Sequence, residues 1–239
     1  MSHAALPALV FLVAALYSSV GHGGASGYLA ALALCGYAPA EMKTSALLLN
    51  LLVAGIAFVN YRRAGHFNAR LFWPFAVASI PAAFVGGLMK IAPSVYAGLL
   101  AFALVAAALR LILPDFKKST PSPPNLPISA AVGAGTGLLS GMVGVGGGIF
   151  LSPIVILCGW ADAKTTAGIS AAFIWVNSAA GLLGQLRQGM PGALSLWPLA
   201  LCAAAGGLIG SNVGARRLTP MGLRRLLGAV LLVAAYKIA

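Results

Sequence analysis

The chain has 239 residues, of which 60% are hydrophobic and only 8% are charged. Soluble domains carry about 25% charged residues, so this chain lacks the polar side chains that cover a water-facing surface. The composition argues against a soluble enzyme and a disordered chain, and it predicts an all-α polytopic membrane protein. The 15 Lys and Arg residues outnumber the three Asp and Glu residues. They flank apolar segments, as orientation signals do, which argues against nucleic-acid binding and allows an anionic substrate.

Ten apolar segments follow one another along the chain, five in each half. The last three of each half are long enough for a bilayer, which takes about 20 residues. The first two of each half are short, and a glycine cluster separates them. The segments cover about 5–20, 24–36, 43–60, 69–89 and 93–113, then 128–143, 147–158, 164–185, 193–215 and 220–238.

The second half repeats the first. Residues 34–38 read LCGYA and residues 157–161 read LCGWA, while GHGGA at 21–25 returns as GVGGG after the same offset. Between the halves, PDFKKSTPSPPNLP is rich in Pro, Ser and charge, which is typical of a solvated linker. We therefore divide the chain into a first transmembrane repeat (1–113), a linker (114–127) and a second transmembrane repeat (128–239).

The distribution of Lys and Arg predicts how the halves are oriented. If the two short segments of each half joined into one broken span, the halves would be parallel and the cations would divide eight against seven. If the short pair dips in and returns, or if each member crosses, the halves are inverted and eleven cations share one side. The second arrangement fits the positive-inside rule, with both termini outside and the linker in the cytoplasm. The eleven are Arg62, Arg63, Arg70, Arg110, Lys117, Lys118, Lys164, Arg216, Arg217, Arg224 and Arg225.

The two glycine clusters are the strongest local feature. Unwound backbone at membrane depth is tolerated only where it is buried in protein or lines a wet cavity, and broken helices in inverted repeats indicate a transport site. The half-helix after each cluster would present free N–H groups to an anion. Close packing of helices is the alternative role for such small residues. The predicted binding glycines are Gly21, Gly23, Gly24, Gly144, Gly146, Gly147 and Gly148.

These clusters, GHGG at 21–24 and GMVGVGGG at 141–148, together with KTS at 43–45 and KTT at 164–166, resemble the TauE/SafE sulfite exporter family, also called the 4-toluenesulfonate uptake permease family. The resemblance covers almost the whole chain, and the first cluster departs from the glycine-rich pattern at His22 and Ala25. It implies transport of sulfite, organosulfonates or related small anions across the cell inner membrane.

Several polar residues near the clusters are further candidates. His22 can bind an anion when protonated, or stay neutral and bond a backbone carbonyl. Serines just before the glycine clusters can donate hydrogen bonds to an anion. Alternatively, they can donate to the backbone carbonyls that the helix break leaves unpaired. The remaining polar candidates could attract an oxyanion or donate hydrogen bonds to it. Alternatively, they could cap helix ends or form hydrogen bonds between helices. The serines are Ser18, Ser19 and Ser140, and the remaining candidates are Lys43, Thr44, Ser45, Lys164, Thr165, Thr166, Asn50 and Asn177.

We expect a secondary transporter of a small sulfur-containing oxyanion that works by alternating access. An anion channel of the same fold and a transporter of a non-sulfur anion remain alternatives. An intramembrane hydrolase would have to use Ser18 or Ser19 with His22, and no metal pattern, P-loop or nucleophile motif occurs, so we expect no enzyme, metal or cofactor. The expected partners are the anion and the lipid bilayer. Coupling to protons or sodium ions and formation of a homodimer stay open.

Overall fold

The computed structural model describes residues 5–90, 124–187 and 197–217, with isolated positions between 92 and 105. This part of the chain is helical and contains no strand. Its eight helices are α1 (Leu6–Ser18), α2 (Ala25–Leu34), α3 (Pro39–Arg63), α4 (Ala69–Leu88), α5 (Leu126–Val143), α6 (Gly148–Leu157), α7 (Ala163–Leu186) and α8 (Trp197–Arg216). The predicted fifth segments, 93–113 and 220–238, lie largely or wholly outside the described residues, as does most of the linker.

Five of these helices are long and apolar enough to cross a membrane, which confirms the prediction of a polytopic helical membrane protein. The helices on either side of each glycine cluster were predicted to be short. That holds for α1, α2 and α6, but it is wrong for α5, which has 18 residues and counts among the five. The helix starts two residues before the predicted segment because the Asn125 side chain accepts a hydrogen bond from the Ile128 N–H.

Helices α2 and α6 end in the same way. Each stops at a cysteine that is followed by a glycine with positive φ, Gly36 at 79° and Gly159 at 66°. The next N–H reaches back over the last turn, from Tyr37 to the Leu32 carbonyl and from Trp160 to the Val155 carbonyl. This glycine-based stop satisfies carbonyls that the helix end would otherwise leave free, and it explains the repeated LCG pattern.

Two of the helix pairs that join the halves of the chain pack through regularly spaced glycines. In the first pair, α5 packs against α4 through glycines spaced by four residues, and a Cβ at Gly133, Gly137 or Gly141 would overlap a backbone carbonyl of α4. In the second pair, α8 uses Gly206, Gly210 and Gly214 in the same way against α1. Glycine at these positions lets the backbones approach closely, which drives helix association in lipid.

The long helices α3 and α7 are antiparallel at the centre of the bundle. Leu47 lies near Gly181, Asn50 bonds Ser178, and Tyr61 packs against Ala167, so residue numbers rise on one helix as they fall on the other. By contrast, the numbers of the contacting residues rise together along α4 and α5, and also along α1 and α8. Those two pairs are therefore parallel. This arrangement supports the inverted repeats, which remain a prediction.

Basic side chains gather at one end of the bundle. The ammonium of Lys164 lies 3.4 Å from the Ala215 carbonyl, and Gly168 contacts the His66 carbonyl, so the start of α7 lies beside the ends of α3 and α8. This is the end that we expect to face the cytoplasm. The described cations there are Arg62, Arg63, Arg70, Lys164, Arg216 and Arg217, whereas Arg110, Lys117, Lys118, Arg224 and Arg225 lie outside the described residues.

Large apolar side chains face outward on α4 and α8. Val77 is 67% exposed and Leu201 is 63% exposed, and the ring of Trp197 at the start of α8 is also exposed. Such side chains are stable against lipid and would be costly against water. The outer surface of the bundle is therefore suited to a bilayer.

Candidate functional site

The two glycine loops, defined as residues 21–24 and 144–147, meet around the side chain of Asn50. A Cβ at Gly23 would overlap the Asn50 Oδ1 atom, and a Cβ at Gly146 would lie 2.5 Å from its Nδ2 atom. Both glycines also contact Ile174 of α7. Asn50 is the twelfth of the 25 residues of α3, and Ile174 is the twelfth of the 24 residues of α7. The loops therefore meet about midway along both long helices.

The backbone of both loops requires glycine. Gly21 and Gly24 have φ of 76° and 97°, and Gly144 and Gly147, at the equivalent positions of the second loop, have φ of 84° and 76°. Side chains are strained in this left-handed region. The loops also leave no room for a Cβ where they contact the Asn50 amide. Both the positive φ values and this close approach therefore explain why the sequence has glycine clusters here.

Asn50 connects the loops through three hydrogen bonds. Its Oδ1 atom accepts from the N–H of Ala25, the first residue of α2, at 3.1 Å. Its Nδ2 group donates to the Val145 carbonyl and to the Ser178 hydroxyl, both at 3.3 Å. The side chain is fully buried. It thus caps the N-terminus of one half-helix and at the same time holds the loop that precedes the other.

His22 reaches from the first loop to the half-helix of the second half. Its Nδ1 atom lies 3.1 Å from the Val20 carbonyl, which can only accept, so Nδ1 carries a hydrogen in this contact. Its Nε2 atom lies 3.2 Å from the Ser152 hydroxyl on α6, and that hydroxyl also contacts the Gly148 carbonyl and the Ser170 hydroxyl, each at 2.7 Å. His22 thus makes the bond to a backbone carbonyl that was expected of a neutral imidazole. It also belongs to a polar network next to the second loop.

The two predicted lysines have different surroundings. Lys43 is only 7% exposed, and its side chain packs against Gly144 of the second loop. Lys164 lies at the basic end, where its ammonium faces the Ala215 carbonyl in the last turn of α8, a favourable place for a cation. The structure therefore brings Lys43 to the glycine loops, whereas the Lys164 ammonium lies against a helix end.

The predicted hydroxyl-bearing residues also differ in their surroundings. Thr44, Ser45 and Thr166 are buried, whereas the Thr165 hydroxyl is exposed and donates to the Asp162 carboxylate at 2.7 Å. Asp162 caps α7 by accepting from the backbone N–H groups of Lys164 and Thr165. Partial burial alone would raise the pKa of Asp162, but these hydrogen bonds, led by those from Thr165, lower it below its ordinary value of 3.8.

Asn177 is buried on α7 but does not join the loops. Its Nδ2 group donates to the Phe173 carbonyl of its own helix at 2.9 Å. Ser18 and Ser19 likewise donate to carbonyls one turn earlier, at 3.4 and 2.7 Å, and so take up backbone groups before the break. The two serines thus have the backbone contacts that were the alternative to substrate binding, whereas the described bond of Asn177 stays within its own helix and does not join two helices.

Sequence reasoning missed the serines that complete the network. Ser152, Ser170 and Ser178 are buried: Ser152 contacts His22, Ser170 contacts Ser152, and Ser178 accepts from Asn50. The spacing of Ser152, four residues after Gly148, puts it one turn above the second loop and was the one available signal. Among the described residues, no three His, Cys, Asp or Glu side chains come together to hold a metal ion.

Comparisons with known proteins agree with this architecture. The family model described as "Sulfite exporter TauE/SafE" matches residues 6–238. The "Probable membrane transporter protein y4hK" of Sinorhizobium fredii is 36% identical over 235 residues, which are 95% of this chain and 94% of that protein. The "Probable membrane transporter protein ORF9" of Sinorhizobium sp is 28% identical over 214 residues, 85% of this chain and 78% of the relative. No solved structure matches the chain.

Proposed function

The chain belongs to the sulfite exporter TauE/SafE family of membrane transporters, and on that premise we propose that it is a secondary transporter of sulfite or an organosulfonate in the cell inner membrane. The observation that supports this most directly is the meeting of the two glycine loops around Asn50, midway along α3 and α7. Unwound backbone and half-helix ends at that depth are typical of transport sites.

The half-helix ends supply the attraction for an anion. Each N-terminus carries a partial positive charge from its unpaired N–H groups and the helix dipole. Fixed dipoles in a dry site replace hydration water without the full cost of a buried opposite charge. A trigonal or tetrahedral sulfur oxyanion presents several acceptor oxygens, so it can bond donors from both loops at once.

Positive charge supports the same substrate class. The chain has a net charge of +12, which raises the local concentration of anions by long-range attraction. Lys43 lies against Gly144 with little exposure, so it adds a cation at the side of the second loop. His22 joins the first loop to α6 through Ser152, so protonation of its ring would add a second positive charge next to the loops.

The contacts between the two halves support a mechanism of alternating access. The pairs α3 with α7, α4 with α5, and α1 with α8 all cross between halves, and the loops meet at the first of these pairs. Rocking of one half against the other would open the loops first to one side of the membrane and then to the other.

Transport of sulfite into proteoliposomes tests this proposal. We expect saturable uptake and counterflow that are lost in Gly146→Val, whose side chain would collide with Asn50 and Ile174. Gly135→Val is the matched control, because a Cβ at Gly135 meets no atom within 4 Å and the variant should transport like the wild type. Flux without counterflow would identify a channel, and flux of carboxylates without sulfur anions would refute the substrate class.

A further inference from the structure

Two buried hydroxyl groups near the glycine loops have no hydrogen-bond partner among the described residues: the phenol of Tyr28 and the side chain of Ser140. Tyr28 and Ser140 are both 0% exposed. A buried hydroxyl without a partner costs about 1–3 kcal/mol, so such groups in native structures usually serve a purpose.

The Tyr28 hydroxyl lies at the N-terminus of α2. The side chain folds back by one turn, as long side chains on helices do. A Cβ at Gly24, the residue that precedes α2, would stand 2.8 Å from the phenol oxygen. Gly24 therefore leaves the space that the hydroxyl fills, and the phenol oxygen lies at the half-helix tip, at the edge of the apolar cluster to which the ring belongs.

Ser140 has the equivalent place at the second loop. Its Cβ atom lies 3.1 Å from where a Cβ on Gly147 would stand, and Gly147 precedes α6 as Gly24 precedes α2. The two glycines occupy the same position in the repeat, 123 residues apart. Each half-helix tip thus has, beside the glycine that precedes it, one residue whose hydroxyl has no partner among the described residues, although the two residues differ in type and belong to different helices.

We propose that Tyr28 and Ser140 are substrate-binding residues, whose hydroxyls donate hydrogen bonds to the oxygens of the transported oxyanion, one at each half-helix tip. This inference rests on the proposed function and adds specificity to it. Hydrogen bonds from hydroxyls to an anion are stronger than bonds between neutral groups. Two donors from opposite loops favour an anion with at least two exposed oxygens, such as a sulfite or sulfonate group, over a halide.

Binding of sulfite to the purified full-length chain, measured by calorimetry, tests this proposal. Losing one hydrogen bond to an anion should weaken binding about 10- to 100-fold in Tyr28→Phe, equivalent to about 1.4–2.8 kcal/mol at 1.4 kcal/mol per tenfold change. Ser140→Ala should weaken it about tenfold by the same reasoning. Chloride binding, where it occurs, should change less than sulfite binding in both variants.

Matched controls separate binding from stability. Tyr17 is buried beside Tyr28, but its oxygen accepts a hydrogen bond from Ser26 at 2.8 Å. Tyr17→Phe should therefore lower the melting temperature and leave sulfite affinity unchanged, whereas Tyr28→Phe should leave the melting temperature without sulfite unchanged or raised. Ser79, which donates to the Ala76 carbonyl at 3.2 Å, supplies the corresponding control for Ser140 through Ser79→Ala.

The outcomes are distinct. Tyr28→Phe and Ser140→Ala that bind sulfite as tightly as the wild type would overturn this inference and leave the proposed transporter intact. A wild-type chain that binds no sulfur oxyanion would overturn both. If Tyr28→Phe does not fold, 3-fluorotyrosine at position 28 gives a second readout. Its fluorine resonance should shift on addition of sulfite, and an unmoved resonance in a chain that binds sulfite would contradict the role of Tyr28.

Discussion

Replacing Asn50 by alanine should destabilise the protein much more than replacing Asn177 by alanine. Both side chains are buried on long central helices and both replacements remove the same volume. Asn50 makes three hydrogen bonds to other parts of the chain, whereas the Asn177 amide donates to a carbonyl of its own helix. The difference between the variants therefore reports the connection between the two glycine loops.

The magnitude follows from the number of bonds. Hydrogen bonds between helices in a membrane protein average about 0.6 kcal/mol and reach about 1.7 kcal/mol. Three bonds from Asn50, two of them to backbone groups at the loops, give a loss of about 2–4 kcal/mol for Asn50→Ala. Asn177→Ala should cost about 1 kcal/mol or less beyond the shared loss of volume, because its oxygen has no partner among the described residues.

Thermal unfolding of the two variants in the same detergent measures this difference. At about 2–4 °C per kcal/mol for a chain of this size, Asn50→Ala should melt roughly 4–16 °C below the wild type. Asn177→Ala should melt within about 2–4 °C of the wild type by the same conversion. Equal losses in the two variants would show that the amide of Asn50 does not hold the loops together, and the reasoning would be refuted.

Three further predictions test the packing, the helix cap and the orientation of the bundle. Gly137→Ala should destabilise the protein by several kcal/mol, because its Cβ would overlap an α4 carbonyl, whereas Gly135→Ala on the same helix meets open space and should stabilise by about 0.5–1 kcal/mol. Asp162→Ala should cost about 1 kcal/mol of stability near neutral pH through loss of the α7 cap. A cysteine at position 63 should react with impermeant thiol reagents from the cytoplasmic side, and a cysteine at position 197 from the opposite side.

Each of these predictions has a clear contrary result. Similar stability of the Gly137 and Gly135 variants in thermal unfolding would contradict the close contact of α4 and α5. Because folding lowers the pKa of Asp162, its contribution is present above about pH 4 and is lost as the pH falls through the lowered value. A wild-type minus Asp162→Ala difference that does not shrink as the pH falls below about 4 would contradict the capping role. Labelling of both cysteines from one side would contradict the inverted repeats.

The positions of the helices were predictable from the sequence because apolar segment length and glycine clusters are local signals. The predicted segments 69–89 and 147–158 match Ala69–Leu88 and Gly148–Leu157 within one residue at each end. The length of α5 was underestimated because its start depends on a cap by Asn125 just before the apolar run. Local signals of this kind are enough for the class of protein and for the position of both loops.

What the sequence determined by itself was a duplicated helical membrane protein with two glycine loops, since composition, repeat offset and charge distribution are properties of the linear chain. Only the tertiary structure decided which polar side chains serve those loops. Asn50 bonds residues 95 and 128 positions away, whereas Asn177, equally central in its helix, bonds its own turn. In the sequence, Tyr28 is indistinguishable from the other residues of an apolar helix. Only the structure shows that its hydroxyl lies beside Gly24. Contacts between distant segments depend on how helices pack, and no local pattern encodes them.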